Sequence, residues 1–163
     1  MFRTMRRKGQ ALSCETCQAI LSRGTSGVLA LSGDNDYPYA VPLSYVYADG
    51  KIYFHSAAEG HKIDAIAENH KASFCVIDQD QVVSQEYTTY FRSVIAFGKM
   101  KIITDPSDKR AAIESLAAKY SPNESQARTR QAIDREWNQL CILELTIEHL
   151  SGKEAVELVK AAR

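Results

Sequence analysis

The stretch YPYAVPLSYVYADGKIYFHS, residues 37–56, constrains the fold more than any other. Asp49-Gly50 is a strong signal for a two-residue type I′ turn, because both central positions need positive φ. With that turn, Ala48 faces Lys51, and facing residue numbers sum to 99 along the hairpin. Ser44 then lies opposite His55, and Leu43 opposite Ser56. Alternation of side chains places Leu43, Tyr45, Tyr47, Ile52 and Phe54 on an expected core face. Ser44, Val46, Tyr53 and His55 fall on a mixed face. Pro42 lacks an N–H and belongs at an edge or bulge. Something other than a neighbouring strand is therefore expected beside it.

The remaining pattern alternates strands with few helices. Residues 1–11 read as a loose arm. Ser13 can cap a helix running to Arg23, and Gly24 ends it. GVLAL (27–31) reads as a short buried strand. Ile63, Ile66, Ala67 and His70 keep helical spacing. KASFCVID (71–78) is another strand, and the polar residues 79–90 are expected to form a loop. RSVIAFGKMKIIT (92–104) is a long strand in which Gly98 marks a bend. Asp105-Pro106 opens a helix to Tyr120 that should bury Ile113, Leu116, Ala117 and Tyr120. A second helix spans 125–137 and ends at Trp137. CILELTIEHL (141–150) is the last strand, followed by a short helical tail. About six strands in a meander predict a mainly β fold. It should be an antiparallel barrel with peripheral helices, one domain over residues 1–163.

Charge and motifs then exclude several functions. Twenty basic and twenty acidic side chains cancel. A nucleic-acid binder normally carries a basic surplus, so a reading resting on Arg128, Arg130 and Arg135 is disfavoured. No apolar run approaches the roughly 20 residues that span a bilayer. Arg6-Arg7-Lys8 is not followed by an apolar segment, so a cytoplasmic protein without a membrane or nucleic-acid partner is expected. There is no GxGxxG and no P-loop. Cys75 and Cys141 sit in apolar strand patterns and read as core. Cys14 and Cys17 form a lone CxxC, without the further ligands that zinc needs or the preceding strand of a thioredoxin-type motif. Helical spacing explains the pair.

IYFHSAAEGHKID (52–64) joins a strand to a helix and collects two histidines. His55 and His61 lack the spacing of a metal pair, so no metal is expected. Ser44 and His55 could form a dyad, but no third member or nucleophile elbow accompanies them. Ser56-Ala57-Ala58-Glu59 fits a capping box, which makes Ser56 a candidate cap. The same junction suits a phosphate: free N–H groups at a helix start, Gly60 for close approach, and His61 and Lys62 as donors. Both readings stand on the residues alone.

VPLSYVYADGKIYFHSAAEGHKID, followed by YFRSVIAFGKM (90–100), resembles the nitroimidazole-resistance (Nim) family of pyridoxamine 5′-phosphate oxidase-related flavoproteins. Met5-Arg6-Arg7-Lys8 and Ser151-Gly152-Lys153 match its style, so the resemblance covers roughly residues 5–153. It implies a split β-barrel, a homodimer, and FMN (or FAD) at the subunit interface. It implies that Val41, Pro42, Leu43 and Ser44 run along the flavin ring. His55, Ser56, Gly60, His61 and Lys62 would lie near the ribityl and phosphate groups, and Arg92, Ser93 and Val94 would complete the cofactor site. It further implies reduction of a small aromatic or nitro-bearing acceptor, with the flavin supplying the redox chemistry. We assign His55 a polar contact or proton donation beside flavin or substrate, from its place on the mixed face. The C-terminal Arg-containing segment of pyridoxamine 5′-phosphate oxidases proper is not matched in SGKEAVELVKAAR, which disfavours that substrate. The alternative is a flavin carrier or redox sensor without turnover of its own.

Overall fold

Asp49 and Gly50 both take positive φ, 48° and 76°, as a type I′ turn requires. They do so in a computed structural model whose described residues are 1–161. The turn joins β3 (Val46–Ala48) to β4 (Lys51–Ala57). Val46 faces Tyr53, Tyr47 faces Ile52 and Ala48 faces Lys51, the register expected from the turn. Beyond Val46 that register stops. β2 (Pro38–Ser44) pairs instead with β1 (Ser26–Ser32), placing Ser44 against Ser26 and Leu43 against Gly27. Ser44 and His55 are therefore not ladder partners. The chain leaves one sheet edge and joins the other at a single residue, Tyr45.

β5 (Lys71–Val83), β6 (Thr88–Ile102) and β7 (Leu140–Glu154) complete a seven-stranded antiparallel sheet of order β2-β1-β5-β6-β7-β4-β3. Its two edges, β2 and β3, are joined by Tyr45 alone, so the sheet must curl until they nearly meet. Among the described residues, no ladder closes the gap. The result is a curled sheet that does not close into a barrel, consistent with a split-barrel fold. The expected six strands become seven because the first hairpin arm divides at Tyr45. Residues 79–90 are not a free loop: Val82 pairs with Thr89 and Val83 with Thr88, extending β5 and β6 into a ribbon. Their β-branched side chains favour the pleated form despite polar neighbours. The Gly98 bend is a bulge, where β7 skips a residue between the partners of Phe97 and Gly98.

The inner core contains Tyr45, Ile52, Phe54, Phe74, Val76, Val94 and Leu143, all with essentially no exposure. α1 (Cys14–Arg23) adds Cys17, Ile20 and Leu21 to it, and the Ser13 side chain accepts from the Thr16 N–H at 3.1 Å. α2 (His61–Glu68) adds Ala65 and Ile66. A second cluster lies outside the barrel, where α3 (Pro106–Tyr120) sets Ala112 and Leu116 against Ile103 and Ile142. α4 (Gln126–Glu136) follows, and α5 (Val156–Ala161) ends the described chain. Asp105 caps α3 as its sequence indicates, accepting from Ser107 and Asp108. Trp137 ties α3 to α4: Lys109 donates to its carbonyl at 2.8 Å, and Lys109 and Arg110 lie over its ring.

Two expectations need correction here. The N-terminal arm is not loose along its length. Gln10 is buried and donates to the Glu154 carbonyl, Leu12 N–H reaches the Gly152 carbonyl, and Phe2 stacks on His149. Cys75 is half-buried on the outer sheet face, between Val28 and Ile95, and is not core. Among the described residues, no helix is long and apolar enough to cross a membrane.

Candidate functional site

The seam creates the site. β4 runs past the short β3, so its end from Phe54 to Ala57 is paired only to β7 on one side. β2 is likewise paired only to β1. Two strand edges with unpaired backbone groups thus face the same gap. Pro42 belongs to such an edge: it stands opposite Val28 on one side and has no strand on the other, the neighbourhood its missing N–H calls for.

A cleft of about 840 Å³ opens at the seam. Ser44, His55, Ser56 and Ala57 form its strand wall. Ser44 and His55 therefore share one cleft although they belong to different ladders. The opposite wall comes from α3 and α4. Ile113, Leu116, Ala117 and Ile133 make it apolar, and Tyr120 lies among them. Sequence reasoning missed this wall. An apolar helical stripe reads the same whether it meets a core or a cleft. At the rim, Arg128 pairs with Glu124 at 3.1 Å.

The junction after β4 differs from the capping-box reading. Ser56 belongs to β4, opposite Cys141, and does not cap α2. Gly60 is the N-cap, with φ of 116°, and its carbonyl accepts the N–H groups of Ile63 and Asp64. Only glycine takes that backbone without strain. A Cβ at Gly60 would meet nothing within 4 Å, so the approach to the helix start is open. The first N–H groups of α2 precede its ladder and are free to meet an anion. His61 stacks on Tyr39 with ring centres 4.1 Å apart, and its Nε2 lies 3.7 Å from Asp34. Lys62 is half-buried and close enough to Cys141 for its charge to favour the thiolate; burial, the larger effect, pushes that thiol's pKa up.

The other candidates are placed elsewhere. Val41 and Leu43 pack inward against the core. Val94 is wholly buried in the core. Ser93 is half-buried and pairs with Ile77 and Lys153. Arg92 binds Glu154 at 2.8 Å and Asp78 at 3.5 Å, and Arg23 holds Asp78 at 2.7 Å. That network depresses the Asp78 pKa, chiefly through the Arg23 hydrogen bond. The structure thus gathers Ser44, His55 and Ser56, with Gly60, His61 and Lys62 following directly along the chain. It does not bring Arg92, Ser93 or Val94 to the cleft of the same chain.

A planar ring needs a slot with an apolar wall and backbone groups along one edge, and the seam offers both. A phosphate needs free N–H groups and a cation, and the start of α2 offers Gly60, His61 and Lys62. The donor set fits.

Comparison with known proteins agrees on the fold. A family model described as pyridoxamine 5′-phosphate oxidase matches residues 13–154. Among solved structures, the chain is similar to a candidate 5-nitroimidazole antibiotic resistance protein from Bacteroides thetaiotaomicron. Identity is 20%, the TM-score is 0.72, and the match covers 88% of this chain and 86% of that one. It is also similar to the flavocytochrome Anf3 of Azotobacter vinelandii, at 22% identity and a TM-score of 0.80, over 94% of this chain and 72% of that one. A FAD-binding protein from Mesorhizobium loti matches at 24% identity and a TM-score of 0.62, over 90% of this chain and 97% of that one. No curated protein sequence matches.

Proposed function

The chain belongs to the pyridoxamine 5′-phosphate oxidase family, and from that membership we propose that it is a flavin-dependent oxidoreductase of the nitroimidazole-resistance type. It would bind FMN at the seam and reduce a small aromatic or nitro-bearing acceptor. The observation that carries this reading is the convergence of Ser44, His55 and Ser56 in one cleft directly before the anion-ready start of α2. That the similar structures include a flavocytochrome and a FAD-binding protein supports it.

In this reading the β2 edge at Pro42 and Ser44 lies beside the ring. Ser56 and the free N–H groups at Gly60, His61 and Lys62 hold the phosphate, with Lys62 supplying charge. His55, exposed on the strand wall, would contact the ring or acceptor and would be placed to donate a proton there. Bound flavin supplies the hydride-accepting centre. The apolar wall of α3 and α4 would receive the acceptor.

We place a homodimer with the reading. The outer face of the sheet carries Pro42, Val28, Cys75 and Ile95 in one row, and Ala40, Ala30, Ser73 and Phe97 in the next. Among the described residues, no element of the same chain covers Val28, Ala40 or Pro42. A second copy seated there would cover this face and bring its own Arg92 and Ser93 towards the shared site. Anaerobic reduction by a nicotinamide donor, followed by a panel of nitroaromatic acceptors, tests the activity. Acceptor-dependent reoxidation supports it. Flavin uptake without reoxidation by any acceptor would assign the chain to carriers or sensors.

A further inference from the structure

We propose that Lys119 and Tyr120, at the end of α3, are positioning residues. They hold the Tyr45 crossover and thereby set where Ser44 stands in the seam cleft. The ligand in this inference rests on the flavin reading; the geometry does not.

Tyr45 lies between β2 and β3 and belongs to neither, so its buried backbone groups have no strand partner. Buried backbone groups must find partners. Here α3 supplies them. The Tyr45 N–H donates to the Tyr120 hydroxyl at 2.8 Å. That hydroxyl's single proton faces the carbonyls of Tyr45, at 2.7 Å, and Thr25. Lys119 Nζ donates to the Tyr45 carbonyl at 3.0 Å and to the Gly24 carbonyl. It also lies 4.3 Å from the centre of the Tyr45 ring. Burial lowers the Lys119 pKa, and no carboxylate contributes to the shift. The Tyr45 hydroxyl donates in turn to the Leu21 carbonyl at 2.8 Å.

The crossover is thus held from α1 and α3, and the Gly24-Thr25 link before β1 anchors the two α3 side chains that hold it. Tyr120 also lines the cleft together with Ser44, the residue next to Tyr45. One side chain both forms the ligand's wall and fixes the backbone that presents Ser44. Simple packing of α3 on the barrel would require only the apolar cluster around Leu116. It gives no reason to place an ammonium and a phenol on the backbone of one crossover residue.

The test compares Tyr120→Phe and Lys119→Met with a stability control, Met100→Ala, which opens a space in the core at a residue that does not line the seam cleft. FMN affinity, the absorption spectrum of bound flavin, and amide exchange at Tyr45 are measured on each full-length chain. Tyr120→Phe should weaken FMN binding about tenfold, the factor an ordinary hydrogen bond carries. It should also shift the flavin spectrum and deprotect the Tyr45 amide, while Met100→Ala lowers Tm and leaves affinity and spectrum unchanged. The inference is overturned if Tyr120→Phe binds FMN like the parent, or loses no more affinity than Met100→Ala. A parent chain that takes up no FMN or FAD defeats the flavin reading instead. The clamp is then judged on exchange alone, and an unchanged Tyr45 amide in Tyr120→Phe overturns it.

Discussion

Ser44 and His55 face one cleft from opposite edges of the same sheet. Ser44 pairs with Ser26 in the β1–β2 ladder and His55 with Ile142 in the β4–β7 ladder. Only a sheet curled until its edges meet can join them. A site at that meeting line is open to a flat ligand from either edge, and this shapes the expected effects of substitution.

His55 is exposed, so its replacement should spare the fold. His55→Ala should lower flavin-dependent turnover roughly 100-fold, the lower range for loss of a general acid. Steady-state kinetics beside a melting curve checks this. Unchanged turnover and unchanged flavin affinity would remove His55 from the site.

Lys62 is expected to act on the phosphate alone. Lys62→Ala should weaken FMN binding about tenfold to a hundredfold, the value of a charge-assisted contact. Riboflavin, which lacks the phosphate, should bind parent and variant equally. Equal losses for both ligands would contradict the assignment.

Asp78 gives a pH-dependent effect. The Arg23 hydrogen bond holds its native pKa below the unfolded value, so its contribution is present above about pH 4 and is lost as pH falls through the depressed native value. Asp78→Asn should cost about 1–2 kcal/mol at neutral pH, towards the low end because Arg23 is half-exposed. Urea melts across pH should show the two proteins converging in acid. A difference that grows in acid would reverse the sign and refute the network.

Gly98 fixes the β6–β7 bulge. A Cβ there would stand 2.0 Å from the Thr146 carbonyl oxygen, which is backbone and cannot rotate away. Gly98→Ala should destabilise the protein by about 1–3 kcal/mol, the usual range for overpacking. Chemical denaturation measures it. A neutral result would mean that the bulge is not held as described.

The sequence showed some of this and concealed the rest for definite reasons. Asp49-Gly50 announced the turn because positive φ restricts residue choice locally. The break at Tyr45 was hidden, because residues 43–48 all suit a strand and only the distant β1 edge draws Ser44 away. Ser56 matched a capping box, yet pairing with Cys141 across the sheet took it into β4 and passed the cap to Gly60. Val82, Val83, Thr88 and Thr89 favoured strands but were diluted among polar neighbours. The stripe Ile113, Leu116, Ala117 and Tyr120 was legible as apolar. Periodicity does not tell a residue facing a core from one facing a cleft, so the helical wall of the site went unseen. The register that set His55 beside Ser44 holds only at the hairpin tip, and Ser44 and Ser56 entered the site through the family resemblance.

Flavin uptake at the seam is the most direct measurement. Purified protein, stripped of any cofactor, is titrated with FMN and with FAD while fluorescence quenching and bound flavin are followed. Ser44→Trp, which fills the strand wall of the cleft, is titrated in parallel. Near-stoichiometric, saturable FMN binding by the parent, lost in Ser44→Trp at unchanged Tm, is the expected result. Failure of the parent to take up either flavin, or equal binding by Ser44→Trp, would contradict a flavin site between Ser44 and His55.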